Sequence, residues 1–273
     1  MEKYSVLMSL YEKEKPEYLR LALNSMLNQT AKPDEIVLVL DGPLTEDLYA
    51  VTEEYKEKYT GLFNIVVNEK NLGLGRALNK GLAACKNELV ARMDTDDISK
   101  PKRCEKQLKM FREDKELSIV GGQIEEFIET TENITGKRVV PCCDAEIKAY
   151  MKKRCPFNHM TVMFKKSDVL EAGNYHEWFW NEDYYLWIRL ALSGKKFANL
   201  PETLVNVRIG KEMYKRRGGK KYFKSERDIQ KLMYDKGLIS YPRYFINVAE
   251  RLAVQVLMPN SLRGAVFKLF ARK

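Results

Sequence analysis

Three carboxylates stand within four residues of one another in ELVARMDTDDISKP (88–101): Asp94, Asp96 and Asp97. Acidic side chains this close repel each other unless a cation or hydrogen-bond donors compensate them. Their hard oxygens suit Mg2+ or Mn2+. Mg2+ binds through one or two carboxylates together with substrate phosphates and water. The competing reading is a solvated turn whose aspartate caps a helix beginning near Pro101. A second acidic pair, Glu182 and Asp183, opens the helical pattern EDYYLWIRLALSG, which Gly194 stops. Carboxylates in a first helical turn are stabilised by the helix dipole, whatever else they do.

The pattern around the aspartates places them. SVLMS is strand-like, and Leu19, Ala22, Leu23, Met26 and Leu27 then recur at helical spacing, with Pro16 suited to a first turn. EIVLVL forms a second buried-type strand and ends at the turn signal Asp41-Gly42-Pro43. A charged helix from Asp47 to Tyr59, the strand FNIVV, a helix from about Gly75 to Ala84 and the strand ELVARM follow. This β-α-β-α-β-α-β order is the sign of a Rossmann-like, mostly parallel sheet flanked by helices. Ligands bind such sheets beyond the carboxyl ends of the strands. Ser9, Asp41 and the aspartate cluster all fall on that edge, which favours the metal reading over the solvated turn. Further on, SIVGG and TVMF read as strands, IEEFIETTENITGKRVV as edge strands around a turn, and Asp144 to Lys153 as a helix. Lys221 to Lys236 and Pro242 to Leu257 read as basic helices.

Composition bounds the partners. The 273 residues are 45% hydrophobic and 31% charged, as in a globular chain that buries a sizeable core. There is no run of about 18 apolar residues to cross a bilayer, and MEKYSVLMSLYEKEKP lacks signal-peptide architecture. Five cysteines without a CxxC pair or zinc spacing read as reduced cytosolic thiols. From Pro201 onward 17 Lys/Arg face 6 Asp/Glu, whereas the rest of the chain holds 30 against 32. A near-neutral body thus carries a basic tail, pointing to a phosphorylated substrate, an anionic membrane surface or nucleic acid. No GxxxxGK[ST] occurs, and Gly73-x-Gly75 is followed by Leu78 where a dinucleotide loop needs glycine.

At this point the chain resembles the family 2, GT-A type inverting glycosyltransferases, especially bacterial enzymes of capsular and exopolysaccharide biosynthesis. SVLMSLYEKEKPEYLRLALNSMLNQT is similar to the family's opening strand and helix, including Ser25, Gln29 and Thr30 at its end. EIVLVLDGP is similar to its nucleotide-binding VVDDGS, with Leu40 and Pro43 departing from it and Asp41 matching the second Asp. NLGLGRALNKGL, MDTDDISKPKRCEKQ and NEDYYLWIRL follow in the family's order, the last resembling the helix that carries its catalytic base. The likeness spans about Ser5 to Arg208, with a looser basic match through YKRRGGKKY.

The resemblance implies a catalytic domain over 1–210 and a basic helical region over 211–273. It puts Ser9, Tyr11 and Asp41 on the nucleotide's base and ribose, and Asn71 and Arg76 beside the nucleotide. Asp96 and Asp97 become the ligands of Mn2+ or Mg2+, with Asp94 on the ribose or in the ion's outer shell. Sugar transfer needs a base within hydrogen-bond reach of the acceptor hydroxyl; Asp183 fits best, with Glu182 as alternative or support. One base without a protein nucleophile implies a single inverting displacement. Trp178 and Trp180 are acceptor-stacking candidates, Trp187 reads as core, and His159 is placed at the donor or acceptor in competition with a structural role. Arg216 and Arg217 are expected to close over the diphosphate. SLRGAVFKLFARK sets Leu262, Val266, Leu269 and Phe270 on one face of a basic helix, suited to an anionic bilayer. The expected partners are a nucleotide sugar, UDP-linked by preference, and a polyprenyl-diphosphate-linked glycan acceptor, with no nucleic acid. The expected location is cytoplasmic, peripheral at the inner face of the cell membrane. A metal-dependent nucleotidyltransferase is the second enzyme reading, but it gives Glu182 and Asp183 no task. A nucleic-acid-binding module would use the basic tail and leave the aspartates unexplained. A haloacid-dehalogenase phosphatase carries its DxD on the first strand, whereas this cluster follows the fourth.

Overall fold

The computed structural model describes residues 2–210 and 218–258. The alternation expected in the first hundred residues forms as β1 (Tyr4–Leu10), α1 (Pro16–Leu27), β2 (Glu35–Asp41), α2 (Glu46–Lys58), β3 (Phe63–Asn68), α3 (Leu74–Ala84) and β4 (Leu89–Arg92). The four strands are parallel in the order β3-β2-β1-β4. Their near-continuous apolar runs follow from burial on both faces. Val6 and Met8 join one core with α1 and α2, while Leu7 joins a second with α3.

Beyond β4 the sheet changes direction. β5 (Ile98–Ser99), α4 (Arg103–Glu113), β6 (Leu117–Phe127), β7 (Ile134–Arg138), α5 (Asp144–Met151), β8 (Met163–Lys165), α6 (Lys166–Glu171), α7 (Glu182–Leu192) and β9 (Lys196–Arg208) complete it. β8 lies antiparallel between β4 and β6, β9 parallel to β6, and β5 antiparallel to β9. β6 and β7 form the hairpin anticipated around residues 128–133. The result is a curled, mostly parallel sheet flanked by helices, the arrangement that the resemblance implied.

The sequence pattern does not disclose β9. Pro201 interrupts KFANLPETLVNVR, and proline cannot donate to a ladder. The structure resolves the conflict with a bulge: Gly122 pairs with Leu200 and the next residue, Gln123, with Thr203, so Pro201 and Glu202 are looped out. The two basic helices form as α8 (Lys220–Asp235) and α9 (Tyr241–Leu252), with a π turn over Ala253–Leu257. Ile229 and Met233 place α8 in the same core as α3 and α7. Arg216, Arg217 and the terminal stretch SLRGAVFKLFARK lie outside the described residues. Among the described residues no helix is long and apolar enough to cross a membrane.

The turn after β2 depends on one glycine. Gly42 has φ +94°, and a Cβ there would lie 2.6 Å from the backbone nitrogen of Asn71. Gly42→Ala therefore pushes the loop after β3 away from Asp41. The expected cost is about 2–4 kcal/mol, read as a lower urea midpoint at unchanged m-value.

Candidate active site

β4 delivers the acidic cluster to the carboxyl edge of the sheet. One oxygen from each of Asp94, Asp96 and Asp97 can be chosen so that all lie within 4.8 Å of one another. Asp97 is buried and accepts a hydrogen bond at Oδ1 from the Arg208 backbone N–H at 2.9 Å. The Arg208 side chain donates to the carbonyl of Asp96 and is sandwiched between the rings of Tyr18 and Phe127. Burial, then the charge of Asp94 and that of Glu14, pushes the Asp96 carboxyl up to about 7. Burial and its two acidic neighbours hold the Asp97 carboxyl far above its ordinary range. Burial and mutual repulsion thus both disfavour the charged forms here, and an all-oxygen donor set of this kind fits a divalent ion.

The turn after the cluster is clamped by the end of α1. Gln29 donates to the carbonyl of Lys100 and to Ser99 Oγ, and accepts from the Cys104 backbone N–H. Ser25 Oγ accepts from the Ser99 N–H. Ser25 stands in the last turn of α1 and Gln29 two residues past its end, where the Gln29 amide also donates to the Ser25 carbonyl, so both side chains meet the same turn. From below, fully buried Arg103 donates to the carbonyls of Arg92 and Val162.

Arg92 links this cluster to the second acidic pair. Its guanidinium is buried inside β4's end and ion-paired with Asp94, while Nε and Nη1 have no hydrogen-bond partner. Its positive charge also lowers the carboxyl pKa values of Asp96, Asp97, Glu182 and Asp183. Glu182 and Asp183 are the first two residues of α7 and are half-buried. Burial, then the Asp183 charge, pushes Glu182 up to about 7. Burial also raises Asp183, whose Oδ2 accepts from the Cys155 thiol at 3.5 Å. The start of α3 reaches the same place, since a Cβ on Gly75 would lie 3.6 Å from Glu182 Cβ. His159, buried and held neutral by burial and by Arg92, shares a 2.9 Å hydrogen bond with Tyr175.

The residues assigned to the nucleotide line the neighbouring strand ends. Ser9 is half-buried near the end of β1, and Tyr11 follows it, 38% exposed. Asp41 is engaged by the protein: Oδ1 accepts from Asn68 and the Leu72 N–H, and Oδ2 from the Gly73 N–H. Asn71 is exposed and caps the same turn through Gly73. Arg76 forms an exposed ion pair with Glu177 at 2.5 Å, tying α3 to the loop before α7. In that loop Trp178 packs on Tyr185 and donates its indole N–H to the Ser225 carbonyl of α8. Trp180 is 48% exposed, has φ +55° and stacks on Phe179. Trp187 is fully buried, as expected.

Arg92, Glu14, Arg208 and Cys155 escape a reading by motif. Arg92 carries a usable signal: a charge inside an otherwise apolar buried strand demands a partner. Glu14 accepts from Thr95 and sits beside the cluster, but its Glu-Lys-Glu-Lys setting looks like solvated surface. Arg208 ends the strand that Pro201 conceals.

These carboxyls titrate in a defined direction. Folded values near 7 exceed the ordinary 3.8 of Asp96 and 4.5 of Glu182. Their contribution is therefore complete at low pH and disappears as pH rises through 7. In divalent-free buffer the unfolding free energy falls as pH rises from about 4 to about 7 and levels off above that. Asp96→Asn or Glu182→Gln each removes up to about 1.4 kcal/mol per pH unit from that slope, measurable by urea titration at several pH values.

Known proteins place the chain in a family. Residues 5–172 match the profile described as "Glycosyl transferase family 2". The amylovoran biosynthesis glycosyltransferase AmsE of Erwinia amylovora is 42% identical over 248 residues, covering 89% of this chain and 91% of its own. The UDP-Gal:alpha-D-GlcNAc-diphosphoundecaprenol beta-1,3-galactosyltransferase of Escherichia coli is 37% identical over 271 residues, covering 99% and 97%. Among solved structures, S. aureus TarS 1-349 in complex with UDP-GlcNAc superposes with a TM-score of 0.67 at 17% identity, over 98% of this chain and 76% of that one. The chain thus belongs to glycosyl transferase family 2.

Proposed function

We infer that the protein moves a sugar from a nucleotide-diphosphate donor, a UDP-sugar by preference, to a lipid-linked glycan acceptor during assembly of a surface polysaccharide. The observation that carries this reading is the joining of two acidic groups at one sheet edge through buried Arg92. One group has the donor set of a divalent-ion site; the other has a carboxyl suited to accept a proton. The names of the two bacterial relatives, one on amylovoran and one on a diphosphoundecaprenol-linked sugar, support the polysaccharide and lipid-linked parts.

In this reading Ser9, Tyr11 and Asp41 seat the base and ribose, Asn71 and Arg76 flank the nucleotide, and Asp94 holds the ribose or the ion's outer shell. Asp96 and Asp97 hold Mn2+ or Mg2+, which when bound supplies charge stabilisation to the leaving diphosphate. Asp183 accepts the acceptor's hydroxyl proton as that oxygen attacks the anomeric carbon and the bond to the diphosphate oxygen breaks, inverting the centre. Glu182 sustains the local field. Trp178, Trp180 and His159 shape the acceptor side, and Arg216 and Arg217 cover the diphosphate. The protein works peripherally at the cytoplasmic membrane face.

Turnover of a nucleotide-sugar panel with Mn2+ or Mg2+ tests this directly. Asp97→Asn should lose metal-dependent donor binding together with activity. Asp183→Asn should keep donor binding and lose about 10²–10⁴-fold in kcat. Activity untouched by chelators, or undiminished in Asp183→Asn, rejects the assignment. NMR of the product's anomeric centre reports inversion.

A further inference from the structure

α9 is turned inside out relative to an ordinary surface helix. Soluble helices bury an apolar stripe and expose polar residues. Here the inward residues are mostly polar: Asn247, Arg251 and, in the turn that follows, Gln255, with Tyr244 beside them packed on the core. Asn247 donates to the carbonyl of Lys152 and to Gln230, and Arg251 pairs with Glu226 at 2.6 Å while donating to the carbonyl of Lys153. The outward residues are Tyr241 (60% exposed), Phe245 (63%), Ile246 (46%), Leu252 (39%) and Leu257 (71%). At helical spacing, Pro242, Ala249 and Ala253 fill the gaps between them, so the arc is apolar, with the exposed Glu250 at its border. At 1.5 Å per residue it runs for about 25 Å.

We propose that this outward face of α9 and its following turn lies in the interfacial layer of an anionic bilayer. Charge selects that occupant. Residues 218–258 hold eight Lys/Arg and four Asp/Glu; Arg227 and Lys231 pair with Asp228 and Asp235 along α8, and Lys220, Lys221 and Lys224 on α8 and Arg243 on α9 add positive charge beyond those pairs. A second copy of this surface would meet its own positive charge, whereas an anionic lipid surface complements it. The chain also continues into residues 259–273, where apolar and basic residues recur. The placement suits a lipid-linked acceptor. α8 carries α9 on one side, and on the other its Ser225 holds Trp178 and Asn181, immediately before Glu182 and Asp183. The inference deepens the function proposed above and rests on it for its purpose, though not for its test.

The test is flotation of the full-length protein with phosphatidylcholine vesicles, with and without phosphatidylglycerol. The wild type binds the phosphatidylglycerol vesicles and not phosphatidylcholine alone. Phe245→Glu/Leu257→Glu binds at least about 10-fold more weakly, with its melting temperature unchanged because both side chains already face water. Tyr241→Glu, made separately, weakens binding in the same direction should the double variant fold poorly. Equal binding by both variants, or no binding by the wild type, overturns the proposal. So does a wild-type dimer in sedimentation that the double variant dissociates. Neither readout uses donor or acceptor, so failure here leaves the transferase reading intact. Conversely, lack of turnover with every nucleotide sugar defeats that reading without touching membrane binding.

Discussion

Electrostatic repulsion along the carboxyl edge of the sheet is the constraint around which the rest of the molecule is arranged. Unit charges about 4 Å apart interact by about 4 kcal/mol at an effective dielectric of 20. Three carboxylates with oxygens within 4.8 Å therefore repel by a sum on the order of 10 kcal/mol, comparable to a domain's whole stability. A single buried guanidinium, Arg92, does not cancel that, and burial first, then the neighbouring charges, raises the carboxyls of Asp96 and Asp97. The raised values mean that the site takes up protons more readily than exposed carboxylates do. The field of this cluster reaches Glu182 and Asp183 as well: Arg92 lowers both carboxyls, and the Asp94 charge raises Glu182 directly.

A charged edge of this kind requires a scaffold stiff enough to resist relaxation. The clamp from Ser25 and Gln29 fixes the turn after the aspartates from one side, and Arg208 fixes it from the other. Arg103 braces the strand end underneath without a carboxylate partner among its hydrogen bonds, satisfied by Gln107 and backbone carbonyls instead. Neutral acceptors here hold Arg103 without adding to the acidic load. Asp41 illustrates the same economy. Its carboxylate gathers the loop after β3 through backbone donors, so an acidic residue at the ligand edge also builds the edge.

Periodicity exposed the parallel half of the fold because those strands are buried on both faces and read as unbroken apolar runs. The second half resisted. β9 contains Pro201, whose accommodation needs a bulge that only the partner strand β6 makes possible. β5 is two residues long and exists through its pairing with β9. The acidic groups were legible because clustered carboxylates at a strand end and a helix start have few structural uses. Their surroundings were not. Arg92, Arg208, Glu14 and Cys155 come from four separate stretches and meet only through topology.

α9 shows that an apolar outward face need not reflect loose docking. Rolling the helix to bury Phe245 and Leu252 would separate Arg251 from Glu226, each side chain being only about 10% exposed. Breaking a buried ion pair by removing one partner costs about 3–5 kcal/mol, and Asn247 would lose two hydrogen bonds besides. Burial of the apolar side chains at about 25 cal/mol per Å² must first repay that loss. The polar contacts therefore fix the rotation of α9, and its apolar arc faces outward by construction. Because Glu226 follows Ser225, the residue that grips Trp178 and Asn181, the orientation of that arc and the position of the loop before Asp183 are set by adjacent residues of one helix.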